Sequence, residues 1–339
     1  MKLSMDVEEM LLGVAIGDAF GAGVEFQDRD WIRSHVDFTR FVNARDRIAV
    51  PKNRKEVFTK NYTSWDYTDD TEMTIGVIKA LISEEEVTEE FLVSKWKEEY
   101  DKGINEKGFG RNGHGSMSWF YSGEKTIYEI RDFQKGRKNP GNAPAMRSIP
   151  FGFVREDLIN KYCEINANAT HPNINAIISS QCIARATEFI LVKNGDQKDI
   201  IDYCRKTVDL TKEYKMYFDR IDRLGIYENL DKQDFEVLCG SQPIQKPYFL
   251  PGILGVPSDS KYTTGCVLYI LKMAMHAMDA LKKSVNLGGD VDSVASITTG
   301  IMAGKYGLDS IPDFMREEVE GITYLQEISL LFREYLEQM

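Results

Sequence analysis

The sequence predicts an all-α fold, arranged as one domain over residues 1–339. Three observations carry this. Apolar residues recur at the three-to-four spacing of helices, with no convincing run of period-two alternation. Prolines and glycines fall mainly between those helical segments. No Ser/Gly linker or internal repeat divides the chain, and 339 residues of which 42% are apolar can bury one large core.

In chain order, Asp6 and Glu9 have the spacing of a capping box and open a helix to about Gly21. Thr68-Asp69-Asp70 opens a second, to about Ser83. Further helical patterns cover 88–101, 113–122, 173–193, 196–218, 262–283 and 292–306, with a weaker one near the C-terminus. Gly13, Gly17 and Gly21 recur every four residues in the first helix, as do Ser296, Gly300 and Gly304 in the last strong one. A glycine inside a helix costs about 1 kcal/mol relative to alanine, so each stripe needs a compensating gain. Either two central backbones approach closely there, or the stripe leaves space for a ligand.

The charge balance changes between the first two helices. Arg29 to Lys60 holds nine basic residues against four acidic ones, which reads as a solvated excursion or as a basic flap over an anionic ligand. The chain as a whole carries a net charge of −11, which argues against the phosphate backbone of nucleic acid as its main partner and suits the binding of cations. No run of 18 apolar residues is free of polar breaks, and MKLSMDVEEM lacks the order of a signal peptide, so a cytoplasmic protein with no membrane partner is expected. Cys163, Cys182, Cys204, Cys239 and Cys266 are odd in number, widely spaced and without a C-x-x-C pair. Neither a disulfide framework nor a zinc knuckle is indicated.

Two acidic clusters sit where helices begin: Tyr67-Thr68-Asp69-Asp70-Thr71 and Gly288-Gly289-Asp290-Val291-Asp292-Ser293. One Asp or Thr suffices to cap a helix, so paired carboxylates with a hydroxyl, occurring twice, exceed that need. Carboxylates gathered near an apolar core repel one another and lose hydration, and must protonate or bind a cation. Hard oxygen ligands select magnesium, manganese or calcium, and only four histidines (His35, His114, His171, His276) are available to zinc. The glycine-striped helix then runs into a loop that presents Glu25, either as an ordinary surface carboxylate or as a positioned acid or base.

Taken together, the stretch from Leu12-Gly13 through Gly17-Asp18-Ala19-Phe20-Gly21 to Glu25, and the two acidic clusters, resemble the ADP-ribosylglycohydrolases in identity and order. Gly108-Phe109-Gly110, Gly141-Asn142-Ala143-Pro144-Ala145-Met146-Arg147 and Thr170-His171-Pro172 look like that family's ligand loops, so the resemblance spans about 10 to 306. It implies an orthogonal multi-helix bundle with a binuclear metal centre. Two Mg2+ ions, or Mn2+, would be held by Thr68, Asp69, Asp70, Asp290, Asp292 and Ser293. It further implies Glu25 beside the scissile bond, and Gly108, Phe109, Gly110, Gly141, Asn142, Met146 and His171 against ADP-ribose. Backbone N–H groups freed by glycine can approach a pyrophosphate closely. By itself His171 reads as a helix-terminal residue satisfied by backbone, and His114 matches no feature of the family. The sequence departs from the family where Val291 replaces a small polar residue, Ser293 a threonine, Ala143 a glycine and Pro140 an aromatic. These departures bear on the adenine-side contacts and the acceptor preference, not on the metal centre, since serine keeps the oxygen ligand.

The activity so implied is hydrolysis of the bond between ADP-ribose and an acceptor through an oxocarbenium-like transition state, with Glu25 handling a proton on the water or on the leaving group. The acceptor is an ADP-ribosylated protein or a small-molecule conjugate, with a nucleic-acid end still open. A metal-dependent nucleotide phosphohydrolase and a non-catalytic ADP-ribose binder are the rival readings.

Overall fold

The computed structural model describes residues 6–42, 65–107, 114–244 and 252–339. Helices account for nearly all of its regular structure, and among the described residues β pairing is confined to isolated bridges. The first helices are α1 (Val7–Val24), α2 (Arg29–His35), α3 (Asp69–Leu81), α4 (Glu89–Lys107), α5 (Met117–Tyr121), α6 (Ile127–Lys135) and α7 (Ala143–Met146). Then come α8 (Glu156–Thr170), α9 (Ile174–Thr187), α10 (Ile200–Thr207), α11 (Lys212–Asp222) and α12 (Lys232–Cys239). The last are α13 (Ser260–Met273), α14 (Ala277–Val285), α15 (Asp292–Tyr306), α16 (Asp313–Glu318) and α17 (Ile322–Gln338). No helix among the described residues is long and apolar enough to cross a membrane.

Asp6 starts α1, its carboxylate accepting from the backbone N–H of Glu8 at 2.9 Å and Glu9 at 3.2 Å. The helix outlasts the expected end at Gly21 because Ala22 and Val24 are still core residues. It is buried on almost every side, so α1 and α15 form the axis around which the other helices pack.

Several elements differ from the sequence expectation, each for a local reason. The expected helix at 196–218 is two: α10 ends at Thr207, and Thr211 caps a new start by accepting from the N–H of Tyr214. The one at 262–283 breaks at Ala274–His276, where His276 Nδ1 accepts from the N–H of Asp279 and opens α14. Helix α8 was not expected, because its inward face carries Asn166 and small alanines in place of large apolar residues. Helices α6 and α12 are short, and each opens on a reciprocal capping box, at Thr126/Glu129 and Asp231/Asp234. Of the basic stretch 29–60, residues 29–42 lie against the core, with Arg29, Ile32, Phe38 and Phe41 buried; the remainder lies outside the described residues.

Candidate active site and metal centre

The glycine stripes resolve in favour of close approach. A Cβ on Gly13 would stand 2.6 Å from the Ala303 Cβ, and one on Gly21 would stand 2.5 Å from the Asp292 Cα. The two backbones therefore run antiparallel at a distance that only glycine permits, and the start of α15 is held beside the end of α1. Glu25 follows at that end. Phe26 next to it has φ +58°, a left-handed conformation that is costly for a bulky residue, and its N–H donates to Gly289 O at 2.7 Å. Gly288 and Gly289 are also left-handed, at φ +71° and +79°, and a Cβ on Gly288 would meet Arg29 N and Leu254 O at 2.6 Å. A small ladder results, with Gly289 N–H on Gln27 O at 2.9 Å and Asp290 N–H on Val256 O at 2.8 Å. It carries Asp290 to Glu25. Carboxylate oxygens of Glu25, Asp290 and Asp292 lie within 4.8 Å of one another, all three side chains being buried.

Helix α3 brings the second acidic cluster to the same place, and Asp18 of α1 fixes it there. The fully buried Asp18 accepts from Thr68 N–H (2.9 Å) and Oγ1 (2.7 Å) and from Thr71 N–H (3.0 Å) and Oγ1 (2.6 Å). This carboxylate thus caps α3 from a neighbouring helix, while Thr68, the N-cap by position, makes no side-chain cap of its own. Asp69 is half-buried and Asp70 buried, and Asp70 Oδ1 has no partner among the described residues.

Burial is the first cause of the site's electrostatics, and mutual repulsion adds to it. Asp69 and Asp290 are pushed up to about 7. Asp70 and Asp292 are raised well above the usual range by burial, Asp292 then most by Glu25 and Asp290. Asp18 is raised by burial against the pull of its four hydrogen bonds. The close trio of Glu25, Asp290 and Asp292, with Asp69 and Asp70 lining the same cleft and a buried Asp70 oxygen that has no partner among the described residues, offers oxygen donors that fit a hard divalent cation.

The facing wall is built from the 141–147 loop and the end of α8. Asn142 donates to Asp290 Oδ2 at 3.1 Å and to Thr263 Oγ1 at 3.2 Å, so it orients a carboxylate of the acidic cluster. A Cβ on Gly141 would stand 3.2 Å from His171 Nε2, which explains the glycine. His171 is buried, and burial followed by the charges of Arg147 and Arg137 pushes it down to about 3, so its ring is neutral. Arg147 is completely enclosed, its guanidinium 3.7 Å over the Trp96 ring, and burial lowers it to about 9.

These walls enclose an open cleft of about 410 Å³. Glu25, Asp69, Asp70, Asp290, Asp292, Ser293, Gly141, Asn142, Met146 and His171 all line it. Thr68 is buried at the start of α3, its hydroxyl donating to Asp18, and Gly108, Phe109 and Gly110 lie outside the described residues. From the sequence, Asp18, Arg147 and Thr170 figure only as members of motifs, with no individual role, and His114 matches no feature of the family. His114 lines the cleft at φ +57°, with Nε2 2.8 Å from Glu72 Oε2. Asp18 had a readable signal, the one acid beyond the first turn of a helix otherwise built of apolar and glycine residues, and Arg147 had another as a charge inside a loop of small and apolar residues.

Residues 3–339 match the ADP-ribosylglycohydrolase family. ADP-ribosylhydrolase ARH3 of Mus musculus is 22% identical over 340 residues, covering 92% of this chain and 86% of that protein. An uncharacterized protein of Archaeoglobus fulgidus is 23% identical over 322 residues, covering 94% and 93%. The solved structure of an ADP-ribosylglycohydrolase-related protein complex superposes with a TM-score of 0.65 at 17% identity, covering 99% of this chain and 100% of that one, and so shares its fold. The all-α bundle with its buried acidic cluster is that of a hydrolase, and the chain belongs to the ADP-ribosylglycohydrolase family.

Proposed function

We propose that this protein hydrolyses the glycosidic bond between ADP-ribose and an acceptor, either a protein or a small molecule, in a magnesium-dependent reaction in the cytoplasm. The observation that carries the reading is the polarity of the cleft. Glu25, Asp69, Asp70, Asp290 and Asp292 form one group of lining residues; Arg137, Arg147 and the neutral His171 form another. ADP-ribose has matching polarity, since its terminal ribose offers neutral hydroxyls and its pyrophosphate two negative charges.

Two magnesium ions, or manganese, held by Thr68, Asp69, Asp70, Asp290, Asp292 and Ser293, would supply charge stabilisation and hold ribose hydroxyls in one orientation. The chain's own groups do the rest. Glu25, in reach of both Asp290 and Asp292, moves the proton of the water or the leaving group. Asn142 keeps Asp290 turned into the cleft. The pyrophosphate faces the basic end, with Gly141 giving close access to backbone. Trp119 and Phe133 line the cleft as partly exposed aromatic faces and suit the adenine where Pro140 offers no aromatic ring.

A panel of ADP-ribosylated substrates of defined linkage, incubated with and without exhaustive chelation, tests this by mass spectrometry of the products. Free ADP-ribose released only with magnesium or manganese is expected. Full turnover in chelator would refute the metal dependence, and release of AMP or phosphate would favour phosphohydrolase chemistry instead.

A further inference from the structure

Thr170 Oγ1 lies 2.8 Å from Arg147 Nη2 and 2.8 Å from His171 Nδ1. An arginine carries only donors, so the threonine oxygen must accept from it. That leaves the hydroxyl proton to place, and Thr170 Oγ1 has no further acceptor among the described residues. If His171 Nδ1 carried hydrogen, two donors would converge on the oxygen and its own proton would be buried without a partner, at the cost of a lost hydrogen bond. With Nδ1 bare, the Thr170 proton and His171 Nδ1 are both satisfied: Arg147 donates to Thr170, and Thr170 donates to His171.

We propose that Arg147, acting through Thr170, is a positioning residue that fixes His171 as the Nε2–H tautomer, making it a hydrogen-bond donor toward the cleft.

Three further observations support this direction. Arg147 cannot turn away, because its Nε donates to Asn166 Oδ1 at 2.7 Å, its Nη2 also donates to Asn166 O at 3.1 Å, and its plane covers Trp96. Asn166 is held in turn by Pro144 O, Ser148 Oγ and Ser180 Oγ, at 2.9, 3.2 and 3.0 Å. The ring of His171 points Nε2 at Gly141, on the cleft wall, and this nitrogen has no protein partner among the described residues. In this tautomer Nε2 has no lone pair for a metal. It takes an oxygen acceptor, and beside Arg137 and Arg147 that is an anionic phosphoryl oxygen. The tautomer belongs to the free protein; only the identity of the ligand rests on the reading of the function given above.

Long-range 1H–15N correlation spectra of the uniformly labelled protein separate the two tautomers of each of its four histidines. His171→Gln assigns the signal. The parent and Thr170→Ser, which keeps the hydroxyl, are expected to show a single His171 form with Nε2 protonated. Thr170→Val, which keeps the shape but neither accepts nor donates, is expected to show both tautomers. ADP-ribose titrated by calorimetry should bind Thr170→Val roughly tenfold more weakly than the parent, with Thr170→Ser close to the parent. An Nδ1–H signal in the parent would overturn the relay, as would an unchanged spectrum in a folded Thr170→Val. If the parent shows Nε2–H but does not bind ADP-ribose, the relay stands and the reading of the ligand falls.

Discussion

The two ends of the cleft are both buried and both charged, but only one of them is finished by the protein. At the basic end Arg147 donates to Asn166 and Thr170, contacts Met73 sulfur at 3.4 Å and stacks on Trp96, while Asn166 is itself bonded on every side. At the acidic end Asp70 Oδ1 has no partner among the described residues and four aspartates are held above their usual range. A buried polar group costs little when its partners are supplied and a great deal when they are not. The contrast therefore separates a wall that stabilises the fold from a pocket that is complete only around a cation.

The largest effect should come from breaking the finished end. Asn166→Ala removes three donations from its amide and the acceptor of Arg147 Nε, and should cost about 3 kcal/mol or more in folding stability. Asp70→Asn in chelator should leave stability unchanged or raise it, because a repelling charge is lost at constant volume. Urea unfolding of both variants without metal checks this, and equal destabilisation would erase the contrast.

Within the acidic end, Glu25→Gln separates chemistry from binding. The amide is nearly isosteric but cannot take a proton, so turnover should fall by roughly 10²-fold or more while ADP-ribose affinity barely moves. Turnover equal to the parent's would make Glu25 an ordinary loop carboxylate.

A smaller, graded effect is expected with pH. Asp69 and Asp290 sit at about 7 in the fold, whereas an aspartate in the unfolded chain ionises at about 4. Below about pH 4 both states hold the protons and nothing is lost. Between about 4 and 7 only the unfolded chain gives them up, so the metal-free protein should lose stability as pH rises through that window. Magnesium binds the ionised form and should flatten or reverse the slope. Thermal melts from pH 5 to 8 in chelator and in magnesium measure both; a metal-free protein that gains stability over this range would contradict the assigned shifts.

How much of this was legible in the sequence followed the same division. The acidic end was, because its carboxylates come in clusters at helix starts, and the local pattern of Asp69-Asp70 and Asp290-Val291-Asp292 exceeds what capping needs. Glycine stripes left a close approach and a space for a ligand both open, and only the structure pairs Gly21 with Asp292. The basic end was legible only as loops, 141–147 and 170–172, and not in the parts played by Arg147, Asn166 and Thr170, which are scattered singly through a loop and a helix. Asn166 even hid α8 by breaking its apolar periodicity, so the residue that completes the wall is also the one that obscured it. Asp18 reaches α3 across 50 residues, a distance at which no local pattern speaks.

Melting the parent and Asp292→Asn across a magnesium titration tests the unfinished pocket most directly. A cation bound only by the folded state stabilises by RT ln(1 + [L]/Kd), about 2.7 kcal/mol at a hundredfold excess over Kd. The parent should rise accordingly. Asp292→Asn should start at or above the parent in chelator, having shed one of the charges that repel Glu25, Asp290 and Asp70, and should then rise far less. A helix cap would behave otherwise, because asparagine caps as well as aspartate and neither curve would move. An equal magnesium shift in parent and variant would contradict the assignment of Asp292 as a cation ligand, and with it the view that the acidic end is completed by metal.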